Sequence, residues 1–412
     1  MANRISFSSV YSIFIGLFLL IALIFPKLIV LGFIGFIALV VVGMIKKKMF
    51  FKINYFSWFF ISLYLLYLVY AIFTRHSDLA GRYIENKLSF LILPFLVSFH
   101  LKDKIKINYA IIGYLIAVFI LLIEYYLNGI ICFLKEGTVS CFFSSSFSFS
   151  HHPSYTSVFL IFAMGLIVYA WNKKLSGFKL FWIIPSMIVL FLSTFLCLSL
   201  AGILFLFLLI GVILLVLIYK KWGKLATVLA AIITPIALYF TLLSIPQVEG
   251  EWTGAKWYAN EYLKDKEAFV QQRKYPMSGT EVRLVMWTVS SKVLSKYPLG
   301  VGTGNVDEIL TYNLKKMDQK ELAKQELNPH NQYLQTGIEI GWLGIIVLLM
   351  ITVYGTFKAI QNRNWLLVLI LCNLSFNMLF ESMLQRQSGI VFYTFVILIL
   401  ANIQKNIKSE NT

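Results

Sequence analysis

Three residue types in one polar stretch of this chain could do chemistry together. Arg283 and Trp287 stand one helical turn apart, and His330 lies within Asn328-Pro329-His330-Asn331-Gln332-Tyr333. An arginine is always charged and grips oxyanions through two parallel hydrogen bonds. A histidine titrates near neutral pH and suits proton transfer. Between them comes a glycine-rich turn, Gly300-Val301-Gly302-Thr303-Gly304-Asn305. All of this falls within about residues 246–332, a segment with twelve basic and eleven acidic residues. The rest of the chain is strongly apolar, so the chemistry is expected in that segment.

The elements that must position these residues are membrane helices. Of 412 residues, 59% are hydrophobic and only 13% charged, against roughly a quarter charged in soluble domains. Apolar runs of about 20 residues, each able to cross a ~30 Å hydrocarbon core, recur along the sequence. We count twelve, at roughly 7–25, 27–45, 53–73, 83–99, 107–127, 154–171, 178–197, 200–219, 225–245, 333–357, 364–381 and 388–404. The 83–99 run contains Pro94 and could instead be re-entrant, at the expense of the charge pattern below. In lipid only helices or closed barrels satisfy their own backbone. The sequence therefore predicts an all-α, polytopic membrane helical bundle of about 12 transmembrane helices, with one large external loop between helices 9 and 10. Its parts are helices 1–9 over 1–245, the loop over 246–332, and helices 10–12 with a tail over 333–412.

Lysine and arginine in short loops set the orientation. With the N-terminus inside, the inner loops hold eighteen: Arg4, Lys46, Lys47, Lys48, Lys52, Lys102, Lys104, Lys106, Lys173, Lys174, Lys179, Lys220, Lys221, Lys224, Lys358, Arg363, Lys405 and Lys408. The short outer loops hold six: Lys27, Arg75, Arg82, Lys87, Lys135 and Arg386. Both termini are expected inside and the long segment outside. The first run lacks a small-residue cleavage site before Phe25-Pro26-Lys27 and reads as an uncleaved anchor. Cys197 and Cys372 fall in or beside spans, as small apolar residues do. Cys132 and Cys141 share an outer loop; they either pair there or stay as two free thiols.

Several functions are disfavoured by this layout. The net charge of +17 is largely a topology signal, and no nucleic-acid-reading module is present. A secondary transporter would show paired halves and broken helices around midplane charges. Here there is no internal repeat, and Glu124 and Glu339 are the clear intramembrane acids. The glycine turn lacks the lysine of a phosphate-cradling nucleotide loop and reads as a flexible turn after Tyr297-Pro298. His151-His152, next to Pro153, lacks metal-ligand spacing, so no metal is expected.

The stretch from about Thr280 to Gly344 resembles the catalytic region of the O-antigen ligase and O-antigen polymerase superfamily, bacterial polytopic membrane glycosyltransferases. The matching residues run Arg283-Leu-Val-Met-Trp287, Tyr297-Pro-Leu-Gly-Val-Gly-Thr-Gly304, Pro329-His330-Asn331-Gln-Tyr333-Leu and Glu339-Ile-Gly341. Glu85-Asn-Lys87-Leu-Ser-Phe-Leu-Ile-Leu-Pro94 and His152-Pro153-Ser-Tyr155 resemble segments of some members too. The chain departs at Leu198-Ser199-Leu200-Ala201-Gly202, where many members carry a Ser-Arg-Gly-type motif. That leaves the acceptor and subclass open.

The resemblance implies metal-independent, cofactor-free glycosyl transfer on the outer face of the bacterial inner membrane. The donor would be a glycan on undecaprenyl diphosphate. A ligase moves it to a lipid A–core acceptor, a polymerase to another lipid-linked repeat, and other relatives to protein serines. A non-enzymatic polysaccharide exporter is the reading from another class. Under the enzymatic reading Arg283 holds the leaving diphosphate and His330 is the general base. Asn331 and Tyr333 line the site, and Trp287 either stacks on a sugar or packs at the membrane surface. Arg82, Lys87 and Arg386, at outer span ends, either bind the lipid-linked diphosphate or snorkel as interface anchors. Glu381 is expected to pair with Arg386. Glu339 is expected to be structural, because nine residues of continuous helix put it opposite His330. His151, His152 and Tyr155 either border an acceptor groove or are plain loop residues. Glu249–Gln272 reads as an amphipathic helix on the membrane surface or, alternatively, as a partner-binding face.

Overall fold

The computed structural model describes residues 6–244 and 246–403. Arg4, Lys405 and Lys408, used above for orientation, lie outside them. The first half runs α1 (Phe7–Ile24), α2 (Ile29–Ile45), α3 (Tyr55–Ile72), α4 (Ser77–Lys87), α5 (Ser89–Val97), α6 (Ile107–Glu136), α7 (Ser144–Phe147), α8 (Pro153–Asn172), α9 (Leu180–Leu196) and α10 (Leu200–Leu243). The polar segment folds as α11 (Pro246–Lys264), α12 (Lys266–Gln272), α13 (Gly279–Lys296), α14 (Val306–Lys316) and α15 (Lys320–Ala323). Then come α16 (Gln332–Leu349), continued through one π-helical turn into α17 (Gly355–Gln361), α18 (Trp365–Asn377) and α19 (Gln387–Ile403).

Among the described residues, seven helical stretches are long and apolar enough to cross a membrane, and three shorter apolar helices accompany them. The chain is thus a nearly all-α, multi-pass membrane protein. Three expected spans take another form. The 83–99 run is not one helix: it breaks at Leu88 between polar α4 and the nine-residue α5. The eighth and ninth runs join as α10, bent at Gly223, whose φ of 78° is open to a residue without Cβ. A small antiparallel ribbon, Met49–Phe51 on Phe99–Leu101, also ties the α2–α3 connection to the α5–α6 connection. Three-residue strands leave no period for sequence reasoning to detect.

The core is built around α8 and α19, buried on nearly every side, as a helix apolar all round requires. Helices α1 and α6 approach closely at Gly16 and Gly113, where an added Cβ would come within 2.6 Å of backbone. Small residues at such crossings let membrane helices pack without a hydrophobic drive between them. The polar segment has its own core, with Val285, Val289, Leu310, Leu314 and Ile338 buried together. The expected amphipathic helix is two helices, broken where Asp265 caps α12. Its Tyr262 hydroxyl accepts from Thr288 on α13.

Cys132 and Cys141 are joined in a disulfide.

Candidate active site

Helix α13 opens with a full capping box, in which Ser278 and Glu281 satisfy each other's backbone N–H. That start fixes the helical phase, so that Arg283 and Trp287, four residues apart, face the same neighbours. Arg283 Nε donates to the Phe380 carbonyl at 3.1 Å and one Nη donates to Gly279 O at 3.2 Å. Trp287 Nε1 donates to the His330 carbonyl at 3.3 Å. One helix face therefore reaches both the histidine and the turn after α18.

His330 is not in a helix. Its φ is 48°, a left-handed conformation that costs a non-glycine residue about 1–3 kcal/mol and persists only where the surroundings impose it. Here the backbone is held at both ends: its N–H donates to Asn328 Oδ1 at 2.8 Å and its carbonyl accepts from Trp287. The imidazole Nδ1 lies 3.3 Å from Glu381 Oε2, and the side chain is only 19% exposed. The same carboxylate oxygen lies 3.8 Å from His152 Nε2. His152 caps α8, its Nδ1 accepting the Ser154 N–H. A ring nitrogen that accepts carries no proton, so His152 presents Nε2–H to Glu381.

Two histidines from distant parts of the chain thus share one carboxylate. Burial pushes the Glu381 carboxyl upward, but the hydrogen bond and charge of His330, with His152 and Arg283, outweigh it and hold the group at about 2. His152 is pushed below its ordinary range, chiefly by burial. Glu381 opposes that shift, while Arg386, Arg283 and His330 reinforce it. With Glu381 on Nδ1, His330 keeps Nε2 as a proton acceptor.

The expected residues do not all converge. Arg283, Trp287 and His330 meet as anticipated, and Arg386 is exposed at the end of the same turn. Asn331 and Tyr333 adjoin His330, but their polar atoms are committed. Asn331 caps α16 and donates to Leu379 O, and the Tyr333 hydroxyl meets Ser375 Oγ at 3.1 Å. Arg82 is exposed on α4. Lys87 is not at an interface: it is fully buried, 3.5 Å from Glu339 Oε2.

Three further expectations need correction. Glu381 pairs with His330 and His152, because the turn carries it inward while Arg386 stays exposed. Glu339 does not stand opposite His330 on one helix, because α16 starts only at Gln332 and breaks at Ile340 and Gly341. The glycine turn is not a free loop. Val301 and Gly302 N–H groups donate to Ile338 and Glu339 carbonyls, and Gly300 packs on Gly341 so tightly that a Cβ would come within 2.6 Å of backbone nitrogen. It clasps the break in α16.

Sequence reasoning missed Glu381 and undervalued His152. Signals were available: His152-Pro153 at a helix start mirrors Pro329-His330, and Glu381 is an acid in the turn between the last two apolar runs. His151, by contrast, is buried against the Leu23 carbonyl.

A multi-pass helical membrane protein with an arginine, two histidines and a carboxylate gathered at one side of the bundle is the class that fold and site define. Residues 185–349 match the family described as O-Antigen ligase, which takes in α13, the glycine clasp and His330. That match spans about two fifths of the chain, and over it the chain is similar to O-antigen ligases. The chain is also similar to an uncharacterized protein of Haemophilus influenzae, 30% identical over 163 residues. That match takes in 38% of this chain and 37% of the relative's own length.

Proposed function

We propose that the protein is an O-antigen ligase-type glycosyltransferase. It would move a glycan from undecaprenyl diphosphate to a lipid A–core acceptor on the outer face of the inner membrane, with both termini cytoplasmic. The acceptor hydroxyl oxygen attacks the anomeric carbon and a new carbon–oxygen bond forms. The bond to the diphosphate oxygen breaks and its electron pair leaves with the diphosphate. The hydroxyl proton passes to His330 Nε2, while Glu381 on Nδ1 stabilises the resulting imidazolium. Arg283 and Arg386 neutralise the leaving diphosphate, Arg283 through the guanidinium nitrogen left over from Phe380 and Gly279. Trp287 and Arg82 flank the donor.

The observation that carries this reading is the His330–Glu381 contact beside Arg283. It supplies a proton acceptor and a phosphate clamp within one turn of structure. The Cys132–Cys141 disulfide supports placing that side of the bundle in an oxidising compartment. A repeat-unit polymerase is the second reading, left open by the departure at Leu198–Gly202, where many members carry an arginine. It uses the same donor chemistry and differs in acceptor.

A strain deleted for the gene separates these readings by what accumulates on undecaprenyl diphosphate. Full-length glycan supports the ligase. Single repeat units support the polymerase. No accumulation on the outer face would overturn both in favour of export.

A further inference from the structure

Beneath the site lies a charged group that the reaction above does not use. Lys87 on α4 and Glu339 on α16 are both essentially inaccessible, at 0% and 1% exposure, with Nζ and Oε2 3.5 Å apart. Glu339 Oε2 has no other hydrogen-bond partner. Lys87 Nζ also sits 4.5 Å from the Tyr67 ring centre and 5.1 Å from that of Tyr83. A buried ion pair of this kind usually stabilises a fold no better than apolar side chains of the same volume. Its presence asks for another reason.

The reason is visible in Gln385. Its carbonyl Oε1 accepts from Lys87 Nζ at 3.2 Å, and its Nε2 donates to Glu339 Oε1 at 3.0 Å. The amide is therefore read end-on by a cation and an anion, and turning it over would face donor to cation and acceptor to anion. Gln385 lies between Glu381 and Arg386. The turn that carries them is also stitched to the start of α16, where Gln332 N–H donates to Met378 O and Gln332 Oε1 accepts from Leu384 N–H. The amide is thus the far anchor of the segment that delivers Glu381 to His330.

We infer that Gln385, clamped between Lys87 and Glu339, is a positioning residue for the Glu381–Arg386 turn. The buried pair serves to fix that amide. This rests on the reading of the site given above. It accounts for a lysine that is fully buried.

The test uses purified full-length protein in nanodiscs with lipid-linked glycan and acceptor extracted from a deletion strain. Gln385→Met is expected to lower kcat of the folded protein about tenfold with KM for the donor unchanged, as slight misplacement of reacting groups does, beside a lowered thermal midpoint from the two buried charges that lose a partner. Lys87→Met with Glu339→Leu, which also takes the Glu339 acceptor from the buried Gln335 amide, is expected to melt lower than wild type and, per folded molecule, to be as slow as Gln385→Met. Adding Gln385→Met to that pair should slow it no further. Wild-type turnover in Gln385→Met or in the apolar double variant would overturn the inference. So would losses that only track the folded fraction. His330→Ala runs alongside: if it retains full rate, the reading of the site fails rather than this anchor.

Discussion

His330 Nδ1 lies 3.3 Å from Glu381 Oε2, although the two residues come from segments on either side of α16–α18. The contact makes one ring nitrogen a donor and leaves the other free, which is what a general base needs. His330→Ala is expected to lower transfer by about a hundred- to ten-thousand-fold. Glu381→Gln acts through the histidines it pairs with, so a smaller loss of about ten- to a hundredfold is expected. Initial rates of glycan transfer in nanodiscs check both. Equal activity of Glu381→Gln and wild type would remove the carboxylate from the account.

Arg283 uses two of its nitrogens on Phe380 and Gly279 carbonyls. A lysine keeps the charge but cannot hold both carbonyls and an oxyanion. Arg283→Lys should therefore lose about ten- to a hundredfold in kcat/KM, the worth of one or two charge-assisted hydrogen bonds. A variant within twofold of wild type would show that charge alone matters at that position.

Stability should fall in acid through Glu381. Its carboxyl is held at about 2, below the ordinary value of 4.5, so the unfolded chain binds its proton more readily. Stability from this source is present above pH ~4.5 and drains away as pH falls toward 2. His152, also depressed, adds a loss of the same sign that begins below its ordinary range. Thermal midpoints of wild type and Glu381→Gln should differ at neutral pH and converge as pH drops through that window. A constant gap would contradict the linkage.

The glycine clasp should tolerate no side chain. At Gly300 and Gly341 the φ angles are 88° and 70°, and a Cβ would press on backbone. Gly300→Ala or Gly341→Ala is expected to destabilise by about 2–4 kcal/mol and reduce membrane accumulation. Gly137, left-handed but with open space around its Cβ position, should lose only about 1 kcal/mol as alanine. Fluorescence-detected size exclusion of the three variants ranks them.

If the α6–α8 connection faces the outside, Cys132 and Cys141 should resist a thiol-reactive polymer in denatured whole cells until a reductant is added. Cys197 and Cys372 react in either case, so four immediately reactive thiols in place of two would argue for the opposite orientation.

Much of this was legible in residue types. The apolar runs foretold a helical membrane protein, and the Arg283, Trp287 and His330 spacing foretold a meeting place. What escaped depended on backbone breaks and long-range packing. Glu339 was misplaced because a continuous helix was assumed where His330 stands in a left-handed turn and Gly341 interrupts α16. Lys87 read as a ligand of the diphosphate or an interface anchor because a lysine beside an apolar run usually reaches for water; only the folded chain shows Glu339 and Gln385 waiting for it. Glu381 was assigned to Arg386, its neighbour in sequence, because no local pattern announces a partner 51 residues away.

The central claim is tested most directly by complementing a deletion strain with wild type, His330→Ala or Arg283→Ala and separating surface and lipid-linked glycans on gels. Wild type should restore polymer on lipid A–core, while each variant, at normal membrane abundance, leaves full-length glycan on undecaprenyl diphosphate. Full restoration by both variants would contradict the account.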